Sequence, residues 1–166
     1  MKQAEGKRQN MDTPLRRILL VDDSPRDVEL ALGALAQNNL ANEVVVLRDG
    51  VEVLDYLYRR GPFADRPAGN PAVVLLDLKM PRVDGIEVLR QIKNDPQLKV
   101  VPVVVMTSSR EESDLIKSYE LGVNAYIVKP VQFPAFVEAV KLVGAFWAVV
   151  NEPPPGCVRP LRNKTP

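Results

Sequence analysis

The chain has no histidine among its 166 residues. Without an imidazole, a Ser-His or Cys-His dyad, a histidine metal ligand and a phosphohistidine are all excluded. Cysteine is nearly absent too: the single thiol is Cys157, in a proline-rich tail, and one thiol cannot form an internal disulfide. This cysteine usage fits a reducing compartment. Any phosphoryl group that this protein carries must therefore sit on another residue type.

Long apolar runs are also missing. Residues 1–10 are polar and lack the apolar core of a secretory signal. The longest apolar run, residues 142–150, is about half the length of a membrane-spanning helix. We therefore expect a soluble, cytoplasmic protein that has no membrane partner.

What remains is the composition of one globular domain. With 46% hydrophobic residues, the chain can bury a sizeable core. We expect a flexible arm over residues 1–15, one folded domain over 16–150 and a proline-rich arm over 151–166. Both ends are basic, so they are either solvated arms or contacts for nucleic acid or an acidic partner.

Short apolar runs alternate with segments of helical spacing. The runs predict buried parallel strands, and the periodic segments predict amphipathic helices. The predicted strands cover residues 17–22, 43–47, 72–77, 101–106 and 125–128, and the predicted helices cover 24–38, 50–59, 85–94, 111–121 and 134–150. This alternation predicts an α/β fold with a doubly wound parallel sheet of five strands.

Four of the predicted strands end at ionisable or hydroxyl side chains. These are Asp22 and Asp23 after the first strand, Asp77 after the third, Thr107 after the fourth and Lys129 after the fifth. Because ligands bind at the carboxyl ends of strands in open α/β sheets, these side chains should converge on one crevice. Three crowded carboxylates would raise a pKa unless a cation is present. Mg²⁺ prefers such oxygen ligands, so the set predicts a metal-assisted phosphoryl site.

These residues resemble the receiver domain of two-component response regulators, over residues 16–150. That family has an acidic pair after the first strand and an aspartate after the third. It has a hydroxyl residue after the fourth strand, a Lys-Pro after the fifth and an aromatic residue three before that lysine. Here they are Asp22-Asp23, Asp77, Thr107, Lys129-Pro130 and Tyr126. The resemblance implies a flavodoxin-like sheet with strand order 2-1-3-4-5 and a cis bond before Pro130.

The resemblance also implies where the chemistry takes place. Asp77 would accept the phosphoryl group. The metal, Mg²⁺, would be held by Asp23, Asp77 and the main-chain carbonyl of Lys79, with Asp22 acting mostly through water. Such a protein is a phosphoacceptor that catalyses only its own phosphorylation and dephosphorylation, and is not otherwise an enzyme.

Three further residues take roles from the same resemblance. The Lys129 ammonium would contact a phosphoryl oxygen as a point charge. The Thr107 hydroxyl would donate a hydrogen bond to the phosphoryl group. Movement of Thr107 would vacate space, and Tyr126 would then rotate inward as the conformational switch. The alternative for Tyr126 is an ordinary half-buried strand aromatic.

A narrower resemblance is to single-domain regulators associated with bacterial and cyanobacterial phytochromes. It rests on less specific residues: Arg48-Asp49-Gly50, Asp55-Tyr56-Leu57, the loop at 60–71, residues 126–131, Phe146-Trp147 and Asn151-Glu152-Pro153-Pro154. It implies that the partner is a sensor histidine kinase of the phytochrome type. The residues after Lys129 suffice for one helix and a tail, so we expect no DNA-binding domain.

The last predicted helix carries more apolar residues than one buried stripe requires. The excess indicates a second covered surface, which we expect to be a homodimer interface on the fourth and fifth helices. The segment 151–155 would extend toward the partner subunit. The alternative is that the tail folds back over its own chain.

Two other functions compete with the receiver interpretation. An aspartyl-phosphate phosphatase generally has a second aspartate two residues after the nucleophile, and this chain has Lys79 there. A flavodoxin-like binding module needs a glycine- or hydroxyl-rich loop after the first strand to hold phosphate. Asp22-Asp23 would instead repel an anion in the absence of a metal.

Overall fold

A computed structural model describes residues 16–157. The predicted N-terminal arm, 1–15, and residues 158–166 of the predicted C-terminal arm lie outside the described residues. The strands are β1 (Ile18–Val21), β2 (Val44–Leu47), β3 (Val73–Leu76), β4 (Val103–Thr107) and β5 (Ala125–Val128). The helices are α1 (Pro25–Gln37), α2 (Gly50–Tyr58), α3 (Gly85–Asn94), α4 (Glu112–Glu120) and α5 (Phe133–Ala145).

All paired strands run parallel, in the order β2-β1-β3-β4-β5. The predicted fold class and strand order are therefore confirmed. The central strands β1, β3 and β4 are buried along their whole length, because helices cover both faces of the sheet. Helices α2 and α3 pack on one face, and α1 and α5 pack on the other.

Side-chain caps fix where the first three helices begin. The Ser24 hydroxyl accepts a hydrogen bond from the Asp27 amide at 3.3 Å, with Pro25 in the first turn of α1. Asp49 caps α2, and Asp84 caps α3 by accepting from the Glu87 amide at 2.9 Å. The caps of α1 and α2 keep the loops after β1 and β2 short, whereas the longer loop of residues 77–84 joins β3 to α3 on the site side of the sheet.

Three details differ from the sequence-based expectations. Residues 41–43 and 61–63 form short 3₁₀ turns where the sequence predicted loop or strand. The predicted last helix is α-helical only to Ala145 and widens into a π-helical turn over Phe146–Val150. The Lys129–Pro130 bond is trans, so the implied cis bond is wrong. The trans form is the favoured state of X-Pro bonds in folded proteins.

The start of the predicted C-terminal arm lies against its own chain. Arg16 donates to the carbonyl oxygens of Val149 at 2.8 Å and Asn151 at 3.3 Å, which draws the chain out of α-helical geometry. The Asn70 amide donates to the Gly156 carbonyl at 2.7 Å, and Cys157 is buried. Residues 151–157 thus pack on the body of the domain.

Helix α5 and its π-helical turn form an apolar element of 18 residues, Phe133–Val150. By length and composition alone this element could cross a membrane. In the fold, however, Phe136, Val140 and Val143 pack it against the sheet. Its apolar character therefore has a structural use within the domain.

Candidate functional site

The three carboxylates predicted to converge do so. Asp22 and Asp23 follow β1 and Asp77 follows β3, and these two strands are neighbours with Val21 opposite Leu76. One carboxylate oxygen from each aspartate lies within 4.8 Å of the other two. Asp22 and Asp77 are buried, whereas Asp23 is exposed. The cluster therefore opens to solvent on the Asp23 side.

The backbone at these positions is held by the ends of the strand ladder. The Asp77 amide donates to the Val21 carbonyl at 3.0 Å, and the Lys129 amide donates to the Thr107 carbonyl at 2.7 Å. The backbones of Asp77 and Lys129 are thus each tied to the end of a neighbouring strand.

Lys129 is the cation of this cluster. Its Nζ lies 2.6 Å from Asp22 Oδ2, 2.8 Å from Asp27 Oδ2 and 3.5 Å from Asp77 Oδ2. Burial alone would lower the pKa of Lys129, but the contacts with Asp22 and Asp27 outweigh burial and raise it. The ammonium is therefore permanently charged, in the position predicted for it.

Within the described residues, the negative charge of these carboxylates is only partly compensated. Burial raises the pKa of Asp22 above its ordinary value, although hydrogen bonds from Lys129 and the Ser24 amide work in the opposite direction. Oδ1 of Asp77 is buried and has no hydrogen-bond partner within the described residues. An acceptor oxygen without a donor, beside two further carboxylates, fits a hard divalent cation, whose preferred ligands are carboxylate and carbonyl oxygens.

Thr107 and Tyr126 border the loop between β4 and α4. Thr107 is fully buried, and its Oγ1 accepts from the Ser109 amide at 3.2 Å. The half-buried Tyr126 donates its hydroxyl hydrogen to the Ser109 carbonyl at 3.3 Å. Burial raises the pKa of Tyr126, so this hydroxyl stays protonated at neutral pH. Both predicted switch residues therefore contact Ser109.

Lys79 sends its side chain away from the carboxylates. Its Nζ lies 3.3 Å from Asp114 Oδ2 at the start of α4, and hydrogen bonding to this carboxylate raises the pKa of Lys79. Only the main chain of Lys79 remains available to the site, which agrees with the part assigned to its carbonyl.

Two residues important to the geometry were not predicted as site residues. Asp27 shares Lys129 with Asp22, but the sequence indicated only that it belongs to the capped start of α1. A Cβ on Gly85 would lie 2.3 Å from the Asp77 carbonyl oxygen, so only glycine lets α3 approach Asp77 this closely. From the sequence, Gly85 was predicted only as the first residue of a helix.

Together, a solvent-accessible carboxylate cluster, a fixed ammonium and a buried hydroxyl at the carboxyl edge of a doubly wound sheet can hold a divalent cation and accept a phosphoryl group. Fold and site thus define a metal-assisted phosphoacceptor domain. The model of the response regulator receiver domain family matches residues 18–141. The chain belongs to this family, whose members accept a phosphoryl group, bind a divalent metal and receive the phosphoryl group from a histidine kinase.

Three comparisons narrow the relationship. The chain is similar to response regulator Rcp1 of Synechocystis sp., with 40% identity over 81% of this chain and 90% of Rcp1. The Mn²⁺-bound structure of Rcp1 matches with 39% identity and a TM-score of 0.79, covering 84% of this chain and 99% of that one. The bacteriophytochrome response regulator RtBRR matches with 61% identity and a TM-score of 0.68, covering 86% of each chain. The chain is thus homologous to phytochrome response regulators, and homologous receiver-domain regulators are soluble.

Proposed function

We propose that Asp77 is the residue that accepts the phosphoryl group. One observation carries the proposal. Oδ1 of Asp77 is buried and has no hydrogen-bond partner within the described residues, while Oδ2 lies 3.5 Å from Lys129 Nζ. Such a carboxylate has a free oxygen to act as nucleophile and a neighbouring cation to receive phosphoryl charge. Asp22 is less suited, because its oxygens are engaged by Lys129 and the Ser24 amide.

The transfer is a substitution at phosphorus. A carboxylate oxygen of Asp77 forms a bond to phosphorus while the bond from phosphorus to the donor breaks, and the electron pair leaves with the donor. The donor is a phosphohistidine of the partner kinase, since receiver domains accept the phosphoryl group from a histidine kinase. Lys129 balances charge on one phosphoryl oxygen, and Thr107 donates its hydroxyl hydrogen to another.

The metal we assign to the site is Mg²⁺. When bound, it neutralises the crowded carboxylates and compensates charge on the transferring phosphoryl group. Asp23 and Asp77 are the direct carboxylate ligands in this proposal, with the Lys79 carbonyl as a third ligand and Asp22 acting through water. The exposure of Asp23 supports the assignment, because solvent-side ligands allow a hydrated ion to enter.

Phosphorylation then changes the conformation at one edge of the sheet. Thr107 moves toward the phosphoryl group, and Tyr126 follows into the space that Thr107 leaves. Strand β5 forms one edge of the sheet and lies between α4 and α5 in the chain. A shift of Tyr126 therefore changes the face formed by α4, β5 and α5. We infer that the domain acts through contacts of this surface, as a homodimer and with a kinase of the phytochrome type. The similarity to RtBRR supports that kinase class.

The test is the intact mass of the protein after incubation with a small acyl-phosphate donor and Mg²⁺. We expect one added phosphoryl group, which is absent in Asp77→Asn and when a chelator replaces the metal. Autophosphorylated bacteriophytochrome kinase should transfer the same group, and an unrelated sensor kinase should transfer it much more slowly. An adduct that persists in Asp77→Asn would contradict the assignment.

A further inference from the structure

Asp114, at the start of α4, is joined to the switch residues by a chain of hydrogen bonds. Its Oδ2 accepts from the Ser109 hydroxyl at 2.6 Å. The Ser109 amide in turn donates to Thr107 Oγ1 at 3.2 Å. The side chain of Asp114 is only 17% exposed, so solvent competes weakly for these bonds.

Ser109 is held at every polar atom that it has. Its amide bonds to Thr107, its carbonyl accepts from Tyr126, and its hydroxyl donates to Asp114 while accepting from the Glu111 amide at 3.4 Å. The loop between β4 and α4 therefore cannot shift without breaking the bond to Asp114. No side chain caps α4 at Glu111, so the Ser109–Asp114 bond is also what anchors the first turn of this helix.

Lys79 adds a second tie. Its ammonium lies 3.3 Å from the same oxygen of Asp114, and Lys79 stands two residues after Asp77. Asp114 thus joins the loop that follows the phosphoacceptor to the loop that carries Thr107. In this conformation Thr107 is bonded to Ser109, and Oδ1 of Asp77 still has no partner within residues 16–157.

We propose that Asp114 is a positioning residue that holds Ser109, and through it Thr107, in the resting conformation, and thereby slows phosphorylation. The inference rests on the proposed function of Asp77. The Ser109–Asp114 bond stabilises the conformation in which the Ser109 amide is bonded to Thr107. Its removal therefore raises the population in which Thr107 is free to move toward the phosphoryl group. The affinity for the donor is unaffected, because Asp114 does not contact the carboxylate cluster within the described residues.

The experiment compares Asp114→Ala with Asp114→Asn and Glu112→Ala. Asp114→Ala removes the acceptor for Ser109, whereas Asp114→Asn keeps an acceptor oxygen and loses only the charge. Glu112→Ala removes a charge from the same helical turn, and Glu112 makes no side-chain hydrogen bond within residues 16–157. Phosphorylation rates are measured by mass against the concentration of a small acyl-phosphate donor at saturating Mg²⁺.

We expect Asp114→Ala to raise the maximal rate about three- to tenfold, as the loss of one hydrogen bond allows, with an unchanged half-saturating donor concentration. Asp114→Asn and Glu112→Ala should stay close to the unmodified chain. Hydrogen exchange of the Ser109 amide, measured without donor, should accelerate in Asp114→Ala alone.

Two results would overturn the inference. One is an equal phosphorylation rate for Asp114→Ala and Glu112→Ala, which would mean that Asp114 only stabilises the first turn of α4. The other is acceleration by Asp114→Asn as large as by Asp114→Ala, which would assign the effect to charge. Failure of the proposed function has a different appearance, because the unmodified chain would then gain no phosphoryl group at all.

Discussion

At the scale of the residue, the site destabilises the ionised form of Asp22. Burial raises its pKa, and the neighbouring Asp77 carboxylate acts in the same direction. Its Oδ1 accepts from the Ser24 amide at 2.9 Å, so the side chain also orders the turn before α1. A carboxylate whose ionised form is destabilised by burial is typical of sites organised for a cation.

Asp22→Asn should therefore stabilise the metal-free protein. Asparagine keeps an oxygen for the Ser24 amide and removes the buried charge, while Lys129 keeps Asp27 and Asp77 as counter-charges. We therefore expect the free energy of unfolding at neutral pH to rise by about 1–2 kcal/mol. Urea denaturation in the presence of a chelator measures this difference, and addition of Mg²⁺ should shrink it.

The same variant has a predictable pH dependence. Above the ordinary value of 3.8, the native state binds the Asp22 proton more strongly than the unfolded chain does. The free energy of unfolding contributed by Asp22 therefore falls as pH rises through its raised pKa. The advantage of Asp22→Asn should be small near the ordinary pKa of 3.8 and complete only above the raised pKa. An advantage that does not vary with pH would contradict this account.

The positions of Asp22, Asp77, Thr107 and Lys129 could be predicted because each follows a recognisable apolar strand, and parallel strands bring their ends to one edge. Asp27 could not, because its contact with Lys129 spans 102 positions and nothing local indicates it. Local patterns predict where a side chain stands on an element. They do not predict which of several nearby carboxylates a lysine will bind.

At the scale of the element, the loop from β3 to α3 depends on glycine. Gly85 places the start of α3 directly against the Asp77 backbone, and its amide donates to the Leu78 carbonyl at 2.9 Å. Any side chain there must push the loop away from the phosphoacceptor. Strands and helices were predicted within a few residues, but such close approach depends on packing between elements.

Gly85→Ala should lower both stability and phosphorylation. Its Cβ would lie 2.6 Å from Leu78 Cα as well as close to the Asp77 carbonyl, and neither backbone atom can move freely. We expect a loss of about 1–3 kcal/mol in the free energy of unfolding. Phosphorylation of Asp77 should slow even under conditions where the variant remains folded.

Gly33→Ala is the matched control for this change. Nothing lies within 4 Å of its added Cβ, and the position is interior to α1, where alanine is favoured over glycine by about 1 kcal/mol. Thermal and urea unfolding should show stabilisation in Gly33→Ala and destabilisation in Gly85→Ala. Equal effects of the two substitutions would show that the close approach at Gly85 carries no energetic weight.

The π-helical turn after α5 could not be predicted from the local sequence pattern. Residues 134–150 have one continuous apolar pattern, which predicts one helix. The geometry changes because Arg16, 133 positions earlier than Val149, donates to its carbonyl oxygen at 2.8 Å. A distant guanidinium therefore decides how the helix ends.

At the scale of the whole molecule, the sheet was fully predictable and the surface only partly so. The strand order follows from alternation and family resemblance. The exposed apolar residues of α5 and its π-helical turn were expected from the excess of apolar positions in the last predicted helix, and Leu142 and Val150 are 70% and 71% exposed. Residues 151–157 pack elsewhere and leave these side chains exposed.

Leu142→Glu should dissociate the proposed homodimer. A charge in the middle of an apolar interface would be buried without a partner, which disfavours association. Light scattering after gel filtration should give a dimer for the unmodified chain and a monomer for Leu142→Glu. Val100→Glu alters an exposed apolar residue before β4, outside α4 and α5, and should remain dimeric. A monomeric unmodified chain at micromolar concentration would contradict the assignment.

Lys129 affects how the protein responds to the concentration of divalent cations around it. Because Lys129 supplies one positive charge to Asp22, Asp27 and Asp77, part of the negative charge is compensated before any metal arrives. Folding and signalling should then respond to different concentrations of divalent cation. Depletion of Mg²⁺ would silence the receiver while the protein persists, and replenishment would restore it within the time of ion diffusion, without new synthesis.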